Sequence, residues 1–334
     1  MNLSSYNFYL PDNLIASRPK KPRGTSRLLV VNRNSNEITI STFDKLLDFF
    51  NPNDLFVFND TKVEPVYLVC KDHNGSTKSF LLIKELDNKS WQVLTKNPKE
   101  KEFILPDSSI CFLSQVPNSR DWVLTFKSNV REIISLYGRM PLPPYIKREP
   151  DKEDFIDYQT VFARFAGSIA APTAGLHFSK DILRNMASMN IETDFLTLHV
   201  GMGTFLPIKT EDLDNHKMHK ERFYIKKSLI SKIRKKKDKG ERIVTVGTTS
   251  LRALEAYCIN KKQNGEFMET DLFIKEDFSF KLTDSLLTNF HLPKSTLLVL
   301  VSSFLGYELT KKCYEIAVKE KFHFFSYGDA MLIL

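Results

Sequence analysis

Cysteine is scarce in this sequence, and long apolar runs are absent. The four cysteines lie far apart and form no Cys-x-x-Cys pair, which argues against a disulfide framework or a zinc knuckle and fits a reducing cytoplasm. Residues 1–17 lack the basic start and apolar core of a signal peptide. The apolar run at 297–301 is too short to cross a bilayer and predicts a buried strand. We therefore expect a cytoplasmic protein that does not enter a membrane.

Acidic residues are outnumbered, with 40 against 48 basic residues and a formal net charge of +8. This excess of positive charge favours an anionic partner, of which nucleic acid is the usual one. Basic residues cluster at 18–27 and at 232–239, and the second cluster is typical of a solvated helix face. At 334 residues, the chain can hold one large domain and one smaller domain.

The stretch 167–178 consists mainly of small residues with one proline and two glycines, so its backbone can approach a ligand closely. Ser179 is a suitable N-cap for a helix over 180–189, and 191–200 reads as the next strand. This strand–loop–helix–strand order predicts a parallel strand pair. The loops 167–178 and 198–205 then follow the carboxyl ends of their strands, where α/β proteins bind ligands.

Other strands also run into polar loops. The buried-type strand 55–58 precedes 59–62, the strand 243–246 precedes 247–250, and a last strand at 322–325 precedes 326–330. Repeated units of this kind predict an α/β barrel or wound sheet with one functional rim.

Composition changes near residue 66, where short β-rich runs separated by turns continue to about 126. A helix at 130–137 and the proline-rich segment 140–145 follow. The predicted architecture is an α/β catalytic domain, barrel-like and discontinuous over 1–65 and 138–334. Residues 66–137 form an inserted β-rich domain, a small barrel or sandwich.

Five of the seven histidines lie between residues 177 and 291, mostly in the predicted rim loops. A single histidine there usually packs, whereas several on one rim favour a site. The His216-x-x-His219 pair with Glu221 lacks the helical His-Glu-x-x-His pattern, so we predict no metal site. Gly201-x-Gly203 lacks the third glycine of a dinucleotide fingerprint. Residues 247–250 before a helix suit either an anion site or a simple N-cap.

Short motifs occur in order along nearly the whole chain: YLP at 9–11, SRLL at 26–29, NDTKV at 59–63, PLPPYI at 141–146, YQTV at 158–161, AAPTAGLHF at 170–178, LHVG at 198–201, HKMH at 216–219, VGTTS at 246–250, TNFHLP at 288–293 and FSYGDA at 325–330. Together they resemble the S-adenosylmethionine:tRNA ribosyltransferase-isomerases of queuosine biosynthesis. The sequence departs from that family at Glu276-Asp277, where Pro-Gly is usual, and at Tyr67, where arginine is common.

The resemblance implies transfer and isomerisation of the ribosyl group of S-adenosylmethionine. The acceptor would be 7-aminomethyl-7-deazaguanine at the wobble position of tRNA, and the products epoxyqueuosine-tRNA, adenine and methionine. S-adenosylmethionine would be a co-substrate, with no prosthetic group, and the protein would act as a monomer. The fold implied is a barrel-like α/β domain with an inserted β-domain.

This chemistry needs proton transfer, because the sulfonium acidifies the adjacent ribose carbon and adenine leaves more easily when protonated. The candidates for proton transfer are His177, His199, His219, Glu221, His291 and Asp329. The candidates for substrate binding are Arg23, Arg27, Asn59, Asp60, Lys62, Thr173, Gly175, Gly201, Gly203, Thr248, Thr249, Asn289 and Tyr327. The sequence leaves open which residue serves which step.

Two other classes remain as alternatives. An S-adenosylmethionine-dependent RNA methyltransferase should show a more recognisable glycine-rich first βα turn. A tRNA-binding module without catalysis needs the basic surface but not the clustered histidine, aspartate and glutamate residues.

Overall fold

The computed structural model describes residues 2–96, 98, 100–201, 203, 208, 210–259 and 266–334. The chain divides into two compact units. Unit 1 comprises Met1–Lys62, Pro143–Arg148 and Asp157–Leu334, and unit 2 comprises Val63–Leu142 and Glu149–Ile156.

The strands are β1 (Arg27–Val31), β2 (Ile38–Thr42), β3 (Leu55–Asn59), β4 (Thr61–Val63), β5 (Tyr67–Lys71), β6 (Thr77–Glu85), β7 (Ser90–Leu94), β8 (Glu102–Ile104), β9 (Ile110–Gln115), β10 (Trp122–Phe126), β11 (Phe165–Ser168), β12 (Glu192–Leu198), β13 (Glu221–Tyr224), β14 (Ile243–Val246), β15 (Met268–Thr270), β16 (Ser285–Asn289) and β17 (Ala330–Ile333). The α-helices are α1 (Val130–Tyr137), α2 (Asp154–Asp157), α3 (Lys180–Ser188), α4 (Lys227–Asp238), α5 (Thr248–Ile259), α6 (Thr296–Leu305) and α7 (Tyr307–Lys319). Short 3₁₀ helices include Phe43–Phe49 and Thr173–His177.

Unit 1 is built on a nine-stranded mixed sheet in the order β15-β13-β12-β3-β14-β16-β17-β1-β2. Strands β12, β3, β14 and β16 run parallel to one another, so their carboxyl ends share one edge. Strand β17 is antiparallel to β16 and parallel to β1, which brings the amino ends of β17 and β1 to that same edge. The ends of these six strands therefore lie at one edge of the sheet.

The central strand β3 is buried along its whole length. Phe56 and Phe58 pack into one hydrophobic cluster, whereas Leu55 and Val57 pack into another. This alternation follows the two-residue period of a strand and shows that both faces of the sheet are covered, as is usual for parallel strands.

Unit 2 contains a closed six-stranded barrel in the order β10-β7-β6-β5-β8-β9. Alternate side chains fill its interior, as the burial of Trp91 and Val93 on β7 shows. The rings of Phe80 and Phe103 pack edge to face with centroids 4.9 Å apart. The sequence predicted either a small barrel or a sandwich for this region, and the structure contains the barrel.

Three strand predictions were wrong. Residues 297–301 lie in helix α6, where Ser295 caps the first turn through a hydrogen bond from Leu298 N to its hydroxyl. The helix is buried on nearly all sides, so its sequence shows the continuous apolar run that also marks a buried strand. Strand β11 pairs with β4 and not with β12. The final strand is β17, and Phe324 makes only an isolated bridge with Ile15.

Local signals were better guides elsewhere. Residues 28–31 and 37–40 flank an Asn/Ser-rich turn, a pattern that predicts a hairpin. This hairpin, formed by β1 and β2, and helix α3 with its Ser179 cap are confirmed.

Candidate active site

A cavity of about 220 Å³ lies at the edge of the unit 1 sheet where the parallel strands end. Its wall is formed by loops after β11, β12, β14 and β16 and by the segment before β17. The described lining residues are Tyr145, Ala171, Pro172, Thr173, Ala174, Val200, Gly247, Thr248, Thr249, Thr288, Asn289, His291, Leu292, Pro293, Lys294, Ser295, Leu297, Phe325 and Ser326. Ligands of α/β proteins bind at this edge.

The turn between β14 and α5 places two threonines on the cavity wall. Gly247 has a φ of 89°, a left-handed conformation that favours glycine, and its N–H donates to Leu287 O at 2.8 Å. Helix α5 then starts at once with Thr248 and Thr249. Asn59 at the end of β3 donates to Thr249 Oγ1 at 3.2 Å and to Leu198 O at 2.9 Å. Asn59 thus ties three strand ends together, because Leu198 ends β12 and Thr249 follows β14.

Asn289, the last residue of β16, lines the cavity and contacts His177. Its Nδ2 donates to Phe325 O at 3.0 Å and to His177 Nε2 at 3.1 Å. The Nδ1 of His177 lies 2.9 Å from Ser26 Oγ, and the ring stacks on Phe43. Burial lowers the pKa of His177 to about 4, against a smaller opposing effect of Asp329. His177 is therefore neutral and stands behind the cavity wall.

Of the six candidates for proton transfer, only His291 is among the described residues that line the cavity. Its Nε2 lies 3.0 Å from Thr288 Oγ1, and its backbone N–H donates to the Tyr314 hydroxyl. Burial lowers the pKa of His291 to about 3. At neutral pH the imidazole is therefore uncharged, with Nε2 held by Thr288.

An aromatic pair forms another part of the wall. The rings of Tyr145 and Phe325 are stacked with centroids 4.3 Å apart, and the Tyr145 hydroxyl lies 2.6 Å from Ser326 Oγ. Burial raises the pKa of Tyr145 above its ordinary value. Tyr145, Thr288, Lys294, Ser295 and Ser326 were not among the predicted site residues. Tyr145 and Ser326 lie in the motifs PLPPYI and FSYGDA, so these motifs could have indicated both as site residues.

His199 lies outside this lining. Its Nδ1 is 2.9 Å from Thr61 Oγ1, and its ring stacks on Phe267. Gly167 passes so close that a Cβ there would lie 2.9 Å from the His199 ring. Burial, and secondarily Arg222, lowers the pKa of His199.

His219 and Glu221 are also outside the lining. His219 is exposed, and its ring packs against Gly203, where a Cβ would lie 2.5 Å from it. Glu221 is buried, pairs with Arg252, and accepts a hydrogen bond from Gly201 N at 2.9 Å. Residues 202 and 204–205 of the predicted loop 198–205 lie outside the described residues.

Asp329 is fully buried and joins distant segments. Its Oδ1 accepts from Arg27 N at 2.8 Å and Lys20 Nζ at 3.1 Å, and its Oδ2 accepts from His323 N. The Arg27 guanidinium lies 3.9 Å from the centre of the Phe322 ring. Arg23 donates to Gln159 O at 2.8 Å, and burial lowers its pKa.

The remaining candidates differ in exposure. Asp60 is buried, accepts from Thr197 Oγ1 at 2.6 Å, and has a pKa raised by burial. Lys62 is exposed. Gly175 packs against Phe162 and Tyr327 against Tyr158. Thr173, Thr248, Thr249 and Asn289 line the cavity, and their binding roles stay predictions.

Neither a metal site nor a membrane span is found in the described part of the chain. No three histidine, cysteine, aspartate or glutamate side chains come together there as possible metal ligands. None of its helices is long and apolar enough to span a membrane.

Comparison with known proteins decides the family. Residues 3–333 match the family model described as queuosine biosynthesis protein. The chain belongs to this family. Relatives named S-adenosylmethionine:tRNA ribosyltransferase-isomerase occur in Thermodesulfovibrio yellowstonii, 44% identical, and in Sulfurihydrogenibium sp., 43% identical. In both cases the similarity covers 100% of each chain. The resemblance seen in the motifs is confirmed.

A solved structure supports the fold of this queuosine biosynthesis family member. The crystal structure of S-adenosylmethionine tRNA ribosyltransferase from Thermotoga maritima has a TM-score of 0.59 and 30% sequence identity. The likeness covers 99% of this chain and 100% of that one. The predicted α/β fold class with a small β-barrel is confirmed, whereas unit 1 is built on a nine-stranded mixed sheet and not on the predicted barrel-like one.

Proposed function

We propose that this chain is an S-adenosylmethionine:tRNA ribosyltransferase-isomerase. It transfers and isomerises the ribosyl group of S-adenosylmethionine onto 7-aminomethyl-7-deazaguanine at the tRNA wobble position, releasing adenine and methionine. The observation that carries the proposal is the full-length similarity to relatives of that name. The cavity supports it, because one neutral histidine and several threonines converge at the ligand-binding edge of the sheet.

The cavity offers features suited to each part of S-adenosylmethionine. The Tyr145–Phe325 pair provides a flat apolar surface for the base. Lys294 lines the cavity at the start of α6, and its ammonium makes no hydrogen bond or ion pair with a described residue. A cation beside a helix N-terminus favours a carboxylate, which S-adenosylmethionine carries on its methionine part.

We assign proton transfer to His291. Its neutral ring accepts the proton from the ribose carbon beside the sulfonium, while Thr288 holds the other ring nitrogen. The same imidazole, once protonated, returns the proton to the departing adenine or to solvent. The other candidates for proton transfer stabilise the shape of the site through the contacts described above. These are His177, His199, His219, Glu221 and Asp329.

The enzyme works without a prosthetic group, as a monomer in the cytoplasm, and its tRNA substrate carries the modified base in the anticodon. The β-rich residues 66–137 form a domain inserted into the catalytic domain of 1–65 and 138–334. The barrel of unit 2 supports that division.

Chromatography of the small-molecule products tests the function. With tRNA bearing 7-aminomethyl-7-deazaguanine, the protein should consume S-adenosylmethionine and release adenine and methionine. S-adenosylhomocysteine as the main product would identify a methyltransferase, and tRNA binding without turnover would identify a binding module. His291→Ala should lower adenine release by about 100-fold, the usual scale for a proton-transfer group. The exposed His73, which lies in unit 2, provides the control His73→Ala.

A further inference from the structure

Asn289, on the cavity wall, carries a buried polar atom that has no partner among the described residues. The Oδ1 of Asn289 is buried and accepts no hydrogen bond from any residue that the structure describes. The residue as a whole is 1% exposed and lines the cavity. An acceptor left unpaired in the interior destabilises a protein, so such atoms are usually satisfied by a ligand or by water.

The orientation of the Asn289 amide is fixed by its neighbours. The carbonyl of Phe325, 3.0 Å away, can only accept, so the amide nitrogen must face it. The second N–H of that nitrogen points to His177 Nε2, which therefore carries no proton. The ring proton then sits on Nδ1 and is donated to Ser26 Oγ at 2.9 Å. Every other polar atom of the amide is engaged, and Oδ1 remains.

We propose that Asn289 Oδ1 accepts a hydrogen bond from the exocyclic amine of the adenine of S-adenosylmethionine. This inference rests on the proposed function. The amide is bonded to the backbone of Phe325, whose ring stacks on Tyr145 in the same cavity. A planar base seated on that aromatic pair carries its amine at the edge of the ring, beside Asn289. Ser26 and His177 are positioning residues that hold the amide with its oxygen available.

Equilibrium binding to the wild-type protein gives the first test. The probes are S-adenosylmethionine and its 6-deamino analogue, in which purine replaces adenine. We expect at least about 10-fold weaker binding of the analogue, because it leaves the buried acceptor unpaired. Equal affinities would overturn the inference alone. A protein that does not bind S-adenosylmethionine at all would overturn the proposed function as well.

Asn289→Ala gives the second test. The preference for S-adenosylmethionine over the analogue should shrink to within about 3-fold, since no acceptor remains to discriminate. Thr245→Ala is the control, because Thr245 is likewise fully buried, lies on β14 beside β16, and is not among the described lining residues of the cavity. In this control variant, the preference for S-adenosylmethionine over the analogue should equal that of the wild type. An equal loss in both variants would reflect a loosened cavity and overturn the assignment.

Ribose hydroxyls are the rival donors. Analogues lacking the 2′ or 3′ hydroxyl should keep the same affinity ratio between wild type and Asn289→Ala as the parent compound. If instead the ratio collapses only with a deoxy analogue, the amine assignment is wrong.

The positioning role of His177 has its own readout. His177→Ala should lower the amine preference, because the amide then keeps only its hydrogen bond to Phe325 O and is held less firmly. His177→Gln should restore part of it, since a glutamine oxygen can accept from Asn289 Nδ2. Unchanged preference in His177→Ala would overturn the positioning role.

Discussion

The Glu221 carboxylate and the Arg252 guanidinium form an ion pair at 2.8 Å, with side chains only 3% and 2% exposed. Glu221 begins β13, and Arg252 lies in the second turn of α5, whose first residues line the cavity. Because Glu221 also holds Gly201 N, the pair links the loop after β12 to the helix after β14. The pair therefore stabilises the shape of the cavity edge.

Removing one partner of this pair should be strongly destabilising. Arg252→Met leaves the Glu221 charge buried and unpaired, and we expect the free energy of unfolding to fall by about 3–5 kcal/mol. Urea unfolding measures the loss. The double variant Glu221→Met/Arg252→Met should lose less than the sum of the single variants, because it leaves no buried charge. Additive losses would show that the two charges do not depend on each other.

His177 should make stability depend on pH. Its pKa is about 4 in the fold against 6.5 for an ordinary histidine. Between these values the unfolded chain binds more protons, so the free energy of unfolding rises with pH and falls as pH drops from about 6.5 to 4. The His177 contribution over this window is about 3 kcal/mol. Urea unfolding should show a shallower pH dependence for His177→Gln than for the wild type, and identical slopes would contradict the prediction.

Lys294→Met should weaken S-adenosylmethionine binding by about 10-fold, because the carboxylate loses its cation. We expect KM to rise with little change in kcat, since the carboxylate does not react. Lys321→Met is the matched control, because Lys321 has the same φ of 56° but lies outside the cavity lining. Equal kinetic effects in both variants would rule out the carboxylate contact.

Lys62 should contribute to tRNA binding. It is exposed just beyond Asn59, which holds Thr249 at the cavity. In Lys62→Gln, affinity should fall and the slope of log affinity against log salt should become shallower by about one phosphate contact. Lys235 is also exposed and provides the control Lys235→Gln. Lys236 is unsuitable, because it is buried in ion pairs with Glu192 and Glu241.

Local patterns predicted much of the fold. Two β-type runs around an Asn/Ser-rich turn indicated the β1–β2 hairpin, and Ser179 marked the start of α3. Local patterns failed where an element is buried on nearly all sides, because it then lacks the polar residues that would reveal its periodicity. Helix α6 is apolar on nearly every side, so periodicity could not separate it from a strand. The partner of β11 also had no local signal, because strand pairing depends on residues far away in the chain.

The site was predictable only in part for the same reason. Strand-end loops indicated Thr248, Thr249 and Asn289, which do line the cavity. Tyr145 joins it through a hydrogen bond to Ser326, 181 residues further along. His177 occupies a rim loop as expected, but a three-residue chain of hydrogen bonds places it behind Asn289. Only tertiary contacts reveal which histidine reaches the cavity.

The position of β17 constrains the order in which this protein can be made. Its residues 330–333 are synthesised long after residues 27–31 of β1, yet the strand lies between β16 and β1 in the interior of the sheet. The barrel strands, residues 67–126, are complete long before that, and small domains generally fold as units during synthesis. On the ribosome, the barrel can therefore fold early, whereas β1 pairs only with β2 until residues 330–333 have been made. Removal of residues 330–333 would divide the sheet in its interior.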